Sequence, residues 1–408
     1  MKKAVMYGAG NIGRGFIGQL FSLSGYEVVF IDVNPIIVDK LNEDNKYPIR
    51  IISDEGYSEL VVENVRAVNG LDVEKAADEI ASADIMATAV GANILPKIVN
   101  VLVKGLKKRW NENNFTPLNI IICENLLNAN HYLEKLLKQE LNDSEKEYLD
   151  KTVGLVEASI GRMVPVATSE MQGDNPLRVC VEEYCELPVD KDAFKGEIPD
   201  IINMVPFSPF DFYIQRKLFM HNMGHATMAY LGFLNNNSYI WEASRNSTIK
   251  LITLRAMLDQ AVAMSREHGV PLEQLIDHSE DLLFRFSNRL LGDTVDRVGR
   301  DPVRKLAAND RLIGAANLCL KHGICPVYVS IGIAAAFMFA NQDDEAAMKV
   351  QAVVQNEGLE AALKQFCGID ESSAIYKLVK DFYNKLKSDS SFEDVLRHAE
   401  KLKRTVKC

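Results

Sequence analysis

The chain has 408 residues, 47% of them apolar and 25% charged, with a formal net charge of −10. That length exceeds one ordinary core, so two domains are expected. The acidic balance excludes a broad nucleic-acid surface, which needs a basic footprint, and no apolar run is long enough to span a bilayer.

Seven cysteines, odd in number and without a Cys-x-x-Cys, predict reduced thiols in a cytoplasmic protein. They predict no disulfide framework and no metal site. The N-terminus carries no signal peptide pattern and runs from Lys2 and Lys3 directly into a strand.

The first predicted elements form a strand, glycine turn, helix, strand unit. Ala4–Tyr7 is a short apolar run ending at Gly8-Ala9-Gly10-Asn11-Ile12-Gly13. Ile12–Leu23 has helical spacing, and Glu27–Ile31 is a second apolar run closed by Asp32, 19 residues after Gly13. This is the context that a dinucleotide fingerprint requires. Gly8 serves the tight turn, Gly10 lets backbone approach a pyrophosphate, and Gly13 lets helix and strand pack closely. The helix N-terminus supplies free N–H groups for the phosphates. Asp32 is placed to accept from the adenosine ribose hydroxyls and to repel a 2′-phosphate, which favours NAD over NADP. Its other reading is a cap for the helix that begins near Pro35.

Ile49–Ser53 and Leu60–Ala67 interrupt the alternation as a strand pair around Asp54-Glu55-Gly56, an expected β insertion. Val73–Ala81 is helical, Asp84–Val90 is a buried strand ending at Gly91, and Ile94–Lys108 is an amphipathic helix. Its basic end, Lys104, Lys107, Lys108 and Arg109, is expected in solvent beside the helix dipole. Leu118–Cys123 is the next strand, followed by Glu124-Asn125 and a helix near Leu127–Leu141. Ligands of open α/β sheets sit at the carboxyl ends of strands, so Asn125 is a candidate to reach a nicotinamide ring, or else a helix N-cap. Val153–Ala158 and Val179–Glu183 are further strands. Arg162, on the loop between them, is a candidate substrate ligand or a surface cation.

Pro206 and Pro209 mark a change of pattern, after which nearly every segment is helical. The expected division is a Rossmann-type doubly wound α/β domain over 1–200 and an all-α substrate and catalytic domain over 201–408. The helical half opens on Lys217, Asn222 and His225. At roughly 100° per residue they fall near 0°, 140° and 80° on the wheel, one half of one helix. An amine, a carboxamide and an imidazole so arranged suit proton abstraction beside a stabilised oxygen. The plainer reading is a solvated lysine and surface polar residues. Further on, Arg297, Arg300, Arg304, Lys305 and Arg311 gather around Pro302. Arginine forks match phosphate geometry, and a salt-bridge belt with Asp293, Asp296, Asp301 and Asp310 is the alternative. Lys401–Lys407 is expected to be a solvated basic tail.

These pieces resemble the long-chain polyol dehydrogenases across nearly the whole chain. The resemblance is carried by the stretch Gly8–Gly18, by Asp32-Val33-Asn34, by Thr88-Ala89-Val90-Gly91 and by Cys123-Glu124-Asn125. In the second half it is carried by the Lys217-x4-Asn222-x2-His225 pattern and by the stretch from Arg297 to Leu312. The resemblance implies a Rossmann domain plus a helical domain, metal-independent chemistry and an active site between domains. It makes Lys217 the general base, has Asn125 and Asn222 hold the substrate oxygen, and has His225 position a neighbouring hydroxyl. NAD would lie on Gly8, Ala9, Gly10, Asn11, Ile12, Gly13, Asp32, Val33, Asn34, Ala89, Val90, Gly91, Glu124 and Asn125. Substrate would meet Arg162, Arg300, Arg304, Lys305 and Arg311. The expected pair is mannitol 1-phosphate and fructose 6-phosphate, and an unphosphorylated polyol or a hexuronate is the rival in the same class. A non-catalytic NAD(H)-responsive protein is the rival from another class, and it has no use for a base at Lys217. Departures from the family pattern stand at Gly161, where Asp is usual, and at Asn128, Leu187, Met220, His221 and Met223. Small-molecule partners only are expected, with monomer and dimer both open.

Overall fold

The computed structural model describes residues 1–165, 168–388 and 390–406. The chain separates into two compact units, Met1–Asp211 and Phe212–Cys408.

The first unit is built on six parallel strands: β1 (Lys3–Tyr7), β2 (Glu27–Asp32), β5 (Val65–Asn69), β6 (Ile85–Thr88), β7 (Leu118–Ile122) and β8 (Val153–Glu157), in the order β5-β2-β1-β6-β7-β8. Parallel strands covered on both faces need apolar residues at every position. Accordingly Ala4 and Met6 pack into one core layer with Phe16, Leu20 and Phe30, while Val5 and Tyr7 pack into the other with Ile98, Leu102 and Ile120. The order runs outward from β1 in both directions, so the crevice that takes a dinucleotide opens at the carboxyl ends of β1 and β6.

The insertion differs from the expected strand pair. β3 (Lys46–Ser53) and β4 (Gly56–Glu63) form an antiparallel hairpin, and β3 also pairs in parallel with β9 (Val179–Val181). The predicted strand Leu60–Ala67 is broken at Asn64, whose φ of 57° turns the chain. Beyond that turn β5 joins β2 in the main sheet. An additional helix, Asp143–Thr152, starts at a capping box between Asn142 and Glu145. Arg109 is buried, donating to the carbonyls of Ala81, Ala83 and Thr116, and so is not part of a solvated basic end. A parallel ribbon of β10 (Leu187–Asp190) and β11 (Met204–Phe207) carries the first unit past Pro206.

The regular elements among the described residues of the second unit are helices, apart from an isolated bridge between Tyr239 and Thr294. The helix Val327–Ala336 is buried along its whole length, and a Cβ at Gly332 would lie 2.5 Å from Thr227 Oγ1. That glycine lets two helix backbones approach. Cys180, Cys185, Cys319 and Cys367 are free thiols, whereas Cys325 is disulfide-bonded, which corrects the expectation of reduced thiols throughout. In the predicted basic tail Lys403 is bonded to Asp259 at 2.7 Å, and Lys407 lies outside the described residues. Among the described residues no helix is long and apolar enough to cross a membrane, and no cluster of His, Cys, Asp or Glu could hold a metal ion.

Candidate active site

At the carboxyl end of β1 the chain turns at Gly8, with φ of +102° and its N–H donating to the Ile31 carbonyl at 2.8 Å. A Cβ on Gly13 would overlap the Gly8 carbonyl oxygen, whereas a Cβ on Gly10 would meet nothing within 4 Å. The close packing belongs to Gly13, and the space over Gly10 is open for a ligand's backbone approach. Ala9 is pinned on both sides. Its N–H donates to Asp32 Oδ2 at 2.6 Å, and its carbonyl accepts from Arg14 Nε at 2.6 Å. Asp32 Oδ1 accepts from Asn34 N at 2.9 Å. The helix Pro35–Asp44 is capped by Asn34, which accepts from Ile36 N, so Asp32 is not its cap. Asn11 and Val33 are exposed beside this loop, and Ile12 is half-buried.

The loops after β6 and β7 meet through one side chain. Glu124 is 7% exposed, and its two carboxylate oxygens accept from Val90 N at 3.0 Å and Gly91 N at 2.8 Å. Ala89 N continues the ladder onto the Tyr7 carbonyl. Asn125, next to Glu124, is exposed at the end of β7. The N-cap of the following helix Ala129–Gln139 is Asn128, so Asn125 does not cap it.

The structure places Arg162 inside the first unit, as an internal tie. It is 4% exposed, and its guanidinium donates to the carbonyls of Glu182 and Gly15 at 3.0 Å each and to Gln19 Oε1 at 2.7 Å. Its donors brace the helix that follows the glycine loop.

In the second unit, Lys217–Asn222 is a π turn, in which N–H groups bond five residues back instead of four. The ideal wheel therefore does not hold across it, and Lys217 and Asn222 stand at the two ends of one wide turn. Such turns cluster at functional sites. His225 lies one ordinary turn on. Its ring stacks on Phe286 at 4.7 Å and 7°, and its Nε2 faces Asp293 Oδ2 at 3.4 Å. His221 meets the same Phe286 edge-on at 5.8 Å. Burial, then the cations Arg297, Arg311, Lys305 and Arg285, push the His225 imidazole down to about 3. Burial, then Arg285, His225, His278 and Lys217, likewise hold His221 well below the ordinary histidine range. Both rings are neutral imidazoles at neutral pH.

The predicted cationic cluster divides. Lys305 is 5% exposed, bonded through Nζ to the Arg300 carbonyl, and brought down to about 7 by burial first and then by Arg311 and Arg304. Arg311 is largely buried and bonded to Asp310 at 2.7 Å. These two act on His225. Arg300 and Arg304 are exposed, and Arg304 is paired with Asp301 at 3.1 Å. Sequence reasoning left out Phe286 and Arg285 as parts of this surrounding. The pair of Asp293 and Arg297, four positions apart, belongs to the salt-bridge belt that the sequence offered as the alternative.

A sequence profile of the mannitol dehydrogenase Rossmann domain matches residues 2–203, and one of the mannitol dehydrogenase C-terminal domain matches residues 210–399. The mannitol-1-phosphate 5-dehydrogenase of Thermoanaerobacter pseudethanolicus is 37% identical over 387 residues, covering 95% of this chain and 98% of that protein. Among solved structures, the Pseudomonas fluorescens mannitol 2-dehydrogenase ternary complex with NAD and D-mannitol has a TM-score of 0.73 at 15% identity, covering 98% of this chain and 94% of its own. A substrate-free D-sorbitol dehydrogenase has a TM-score of 0.81 at 14% identity, covering 98% and 95%. At those identities the two structures establish the fold.

Proposed function

The chain belongs to the mannitol dehydrogenase family over both of its domains, and from that premise we propose that it interconverts D-mannitol 1-phosphate and D-fructose 6-phosphate with NAD(H). The observation that carries the phosphate is the group of cations around His225, namely Arg297, Arg311, Lys305 and Arg285. In a protein with net charge −10 such a concentration is local, and a sugar phosphate brings the charge that it lacks. The relatives' name supports the same substrate pair.

The glycine loop fits a dinucleotide, because Gly10 leaves open the space that a side chain would fill. Gly8 to Gly13 would hold the pyrophosphate, and Asp32 the adenosine ribose hydroxyls. The Asp32 carboxylate would repel a 2′-phosphate, which supports NAD. When bound, the nicotinamide supplies the hydride acceptor or donor.

The remaining work falls to this chain's side chains. Lys217, as neutral amine, takes the hydroxyl proton of the secondary alcohol and returns it in ketose reduction. Asn222, at the other end of the π turn, donates to the developing alkoxide, and Asn125 is proposed for the same task. Such a donor is typically worth roughly 3 kcal/mol. His225 is neutral, so a proton on Nε2 directed at Asp293 leaves Nδ1 to accept from a neighbouring substrate hydroxyl.

One observation favours the rival substrate class. Arg297, Arg304 and Arg311 already face Asp293, Asp301 and Asp310, as a salt-bridge belt would. The deciding experiment is NADH consumption by the purified protein with fructose 6-phosphate, fructose and fructuronate. Two charge-assisted contacts at roughly 1.5–3 kcal/mol each predict a preference of about a hundredfold or more for the phosphate. A better rate with fructose or fructuronate overturns the assignment.

A further inference from the structure

Where the backbone ladder between β6 and β7 stops, a side chain takes over. The last rung is Cys123 N to the Thr88 carbonyl at 2.9 Å. The next residue, Glu124, then spans 33 and 34 positions to take both consecutive N–H groups, Gly91 and Val90. Gly91 has φ of +92°, a conformation that other residues rarely adopt. Its carbonyl accepts from Ile94 N at 2.8 Å and Leu95 N at 3.2 Å, where the helix Leu95–Asn111 begins. One buried carboxylate thus sets the turn, the helix start and its own backbone together.

We propose that Glu124 is a positioning residue, whose carboxylate locks the Val90–Gly91 turn and the adjoining Asn125 into the arrangement that serves the cofactor and the reacting oxygen. Its geometry has two consequences. Two charge-assisted bonds to consecutive N–H groups hold Glu124 in place, and Asn125 is one peptide away, exposed at the strand end where the nicotinamide half of a dinucleotide lies. The same bonds fill the two N–H groups that would otherwise form an anion site at the crevice. Phosphate is thereby directed to the N–H groups beyond Gly8. Glu124 therefore touches neither ligand directly and acts through its neighbours.

The proposal rests on the reading that Asn125 donates to the reacting oxygen, and a double-mutant cycle separates the two. Glu124→Gln keeps the shape and turns one acceptor into a donor facing an N–H group. It should raise the Kd for NADH, read by fluorescence titration, about tenfold. It should lower kcat between about tenfold and a hundredfold, the range for displacing a positioned group by about 1 Å. With Asn125→Ala in place, adding Glu124→Gln should cost little further kcat. Full additivity overturns the proposal, as does unchanged NADH affinity in Glu124→Gln. Normal kcat in Asn125→Ala removes the Asn125 reading instead, and NADH affinity alone then judges Glu124. If Glu124→Gln does not fold, Glu124→Asp, which keeps the charge but cannot span both groups, enters the same cycle. In the unmutated protein the Val90 and Gly91 amide protons should exchange slowly with solvent, and fast exchange contradicts the lock.

Discussion

The crevice edge of the first unit and the π-turn region of the second solve opposite problems. At the crevice, backbone N–H groups are held by carboxylates, Asp32 on Ala9 and Glu124 on Val90 and Gly91. Space is reserved by glycine. Around His225, cations crowd a neutral imidazole, and burial, more than any hydrogen bond, sets the protonation states. The first region recognises a ligand by shape, with its charges already answered. The second concentrates cations, of which Arg297 and Arg311 are already paired with Asp293 and Asp310. Substitutions should therefore fail differently in the two places.

The largest effect is expected at Lys217. Lys217→Ala should lower turnover by at least ~100-fold, the low end for a positioned base, while NADH binding stays within about twofold. Near-normal turnover would remove Lys217 from the chemistry.

Next comes a pair that probes shape. Gly13→Ala drives a Cβ into the Gly8 carbonyl, so it should destabilise the first unit by roughly 1–3 kcal/mol and abolish measurable NADH binding. Gly10→Ala should leave the thermal midpoint unchanged and weaken NADH binding only, because its Cβ meets no protein atom. Equal loss of stability in both variants would break the distinction between packing and ligand space.

Asp32→Ala tests the same edge more gently. It should weaken NADH binding about tenfold, the size of one lost charge-assisted bond, and narrow the gap to NADPH. Because Ala9 N loses its acceptor as well, affinity for NADPH should not rise to the original NADH level. Full conversion to NADPH use would show that Asp32 has no part in holding the loop.

The smallest effect belongs to the second region and is read in pH. Lys305 is brought down to about 7, far below the roughly 10.4 of a free lysine. Between those values the unfolded chain carries a proton on Lys305 that the folded chain lacks, so stability rises with pH across that window. Lys305→Met should flatten the rise of the unfolding midpoint between about pH 7 and 10. An unchanged slope would contradict the burial argument.

Much of the crevice was legible because its determinants are local. Gly8, Gly10, Gly13 and Asp32 lie within 25 residues, and glycine spacing reports backbone demands directly. The split at Asn64 and the helix capped by Asn142 were also signalled locally, by an asparagine suited to a left-handed turn and by an Asn-x-x-Glu capping box. Other features were hidden for physical reasons. Arg162 on a predicted loop gives no sign that its partner is the Gly15 carbonyl, 147 positions away. The role of Glu124 depends on N–H groups of another strand's loop. The π turn at Lys217 has no compositional mark, since the change lies in which carbonyl each N–H selects. The cationic stretch was visible, but only folding separates buried Lys305 and half-buried Arg311 from exposed Arg300 and Arg304.

That separation gives the most direct test of the central claim, that the second unit reads a phosphate. The measurement is kcat/KM for fructose 6-phosphate relative to fructose, in the unmutated protein, Arg311→Ala and Arg304→Ala. Loss of one contact at a partly buried cation should cut the phosphate preference of Arg311→Ala about tenfold or more, with activity on fructose unchanged. Arg304, exposed and paired with Asp301, should matter by less than about threefold. Equal losses on both substrates in Arg311→Ala, or a preference untouched by it, would contradict phosphate recognition by this cluster.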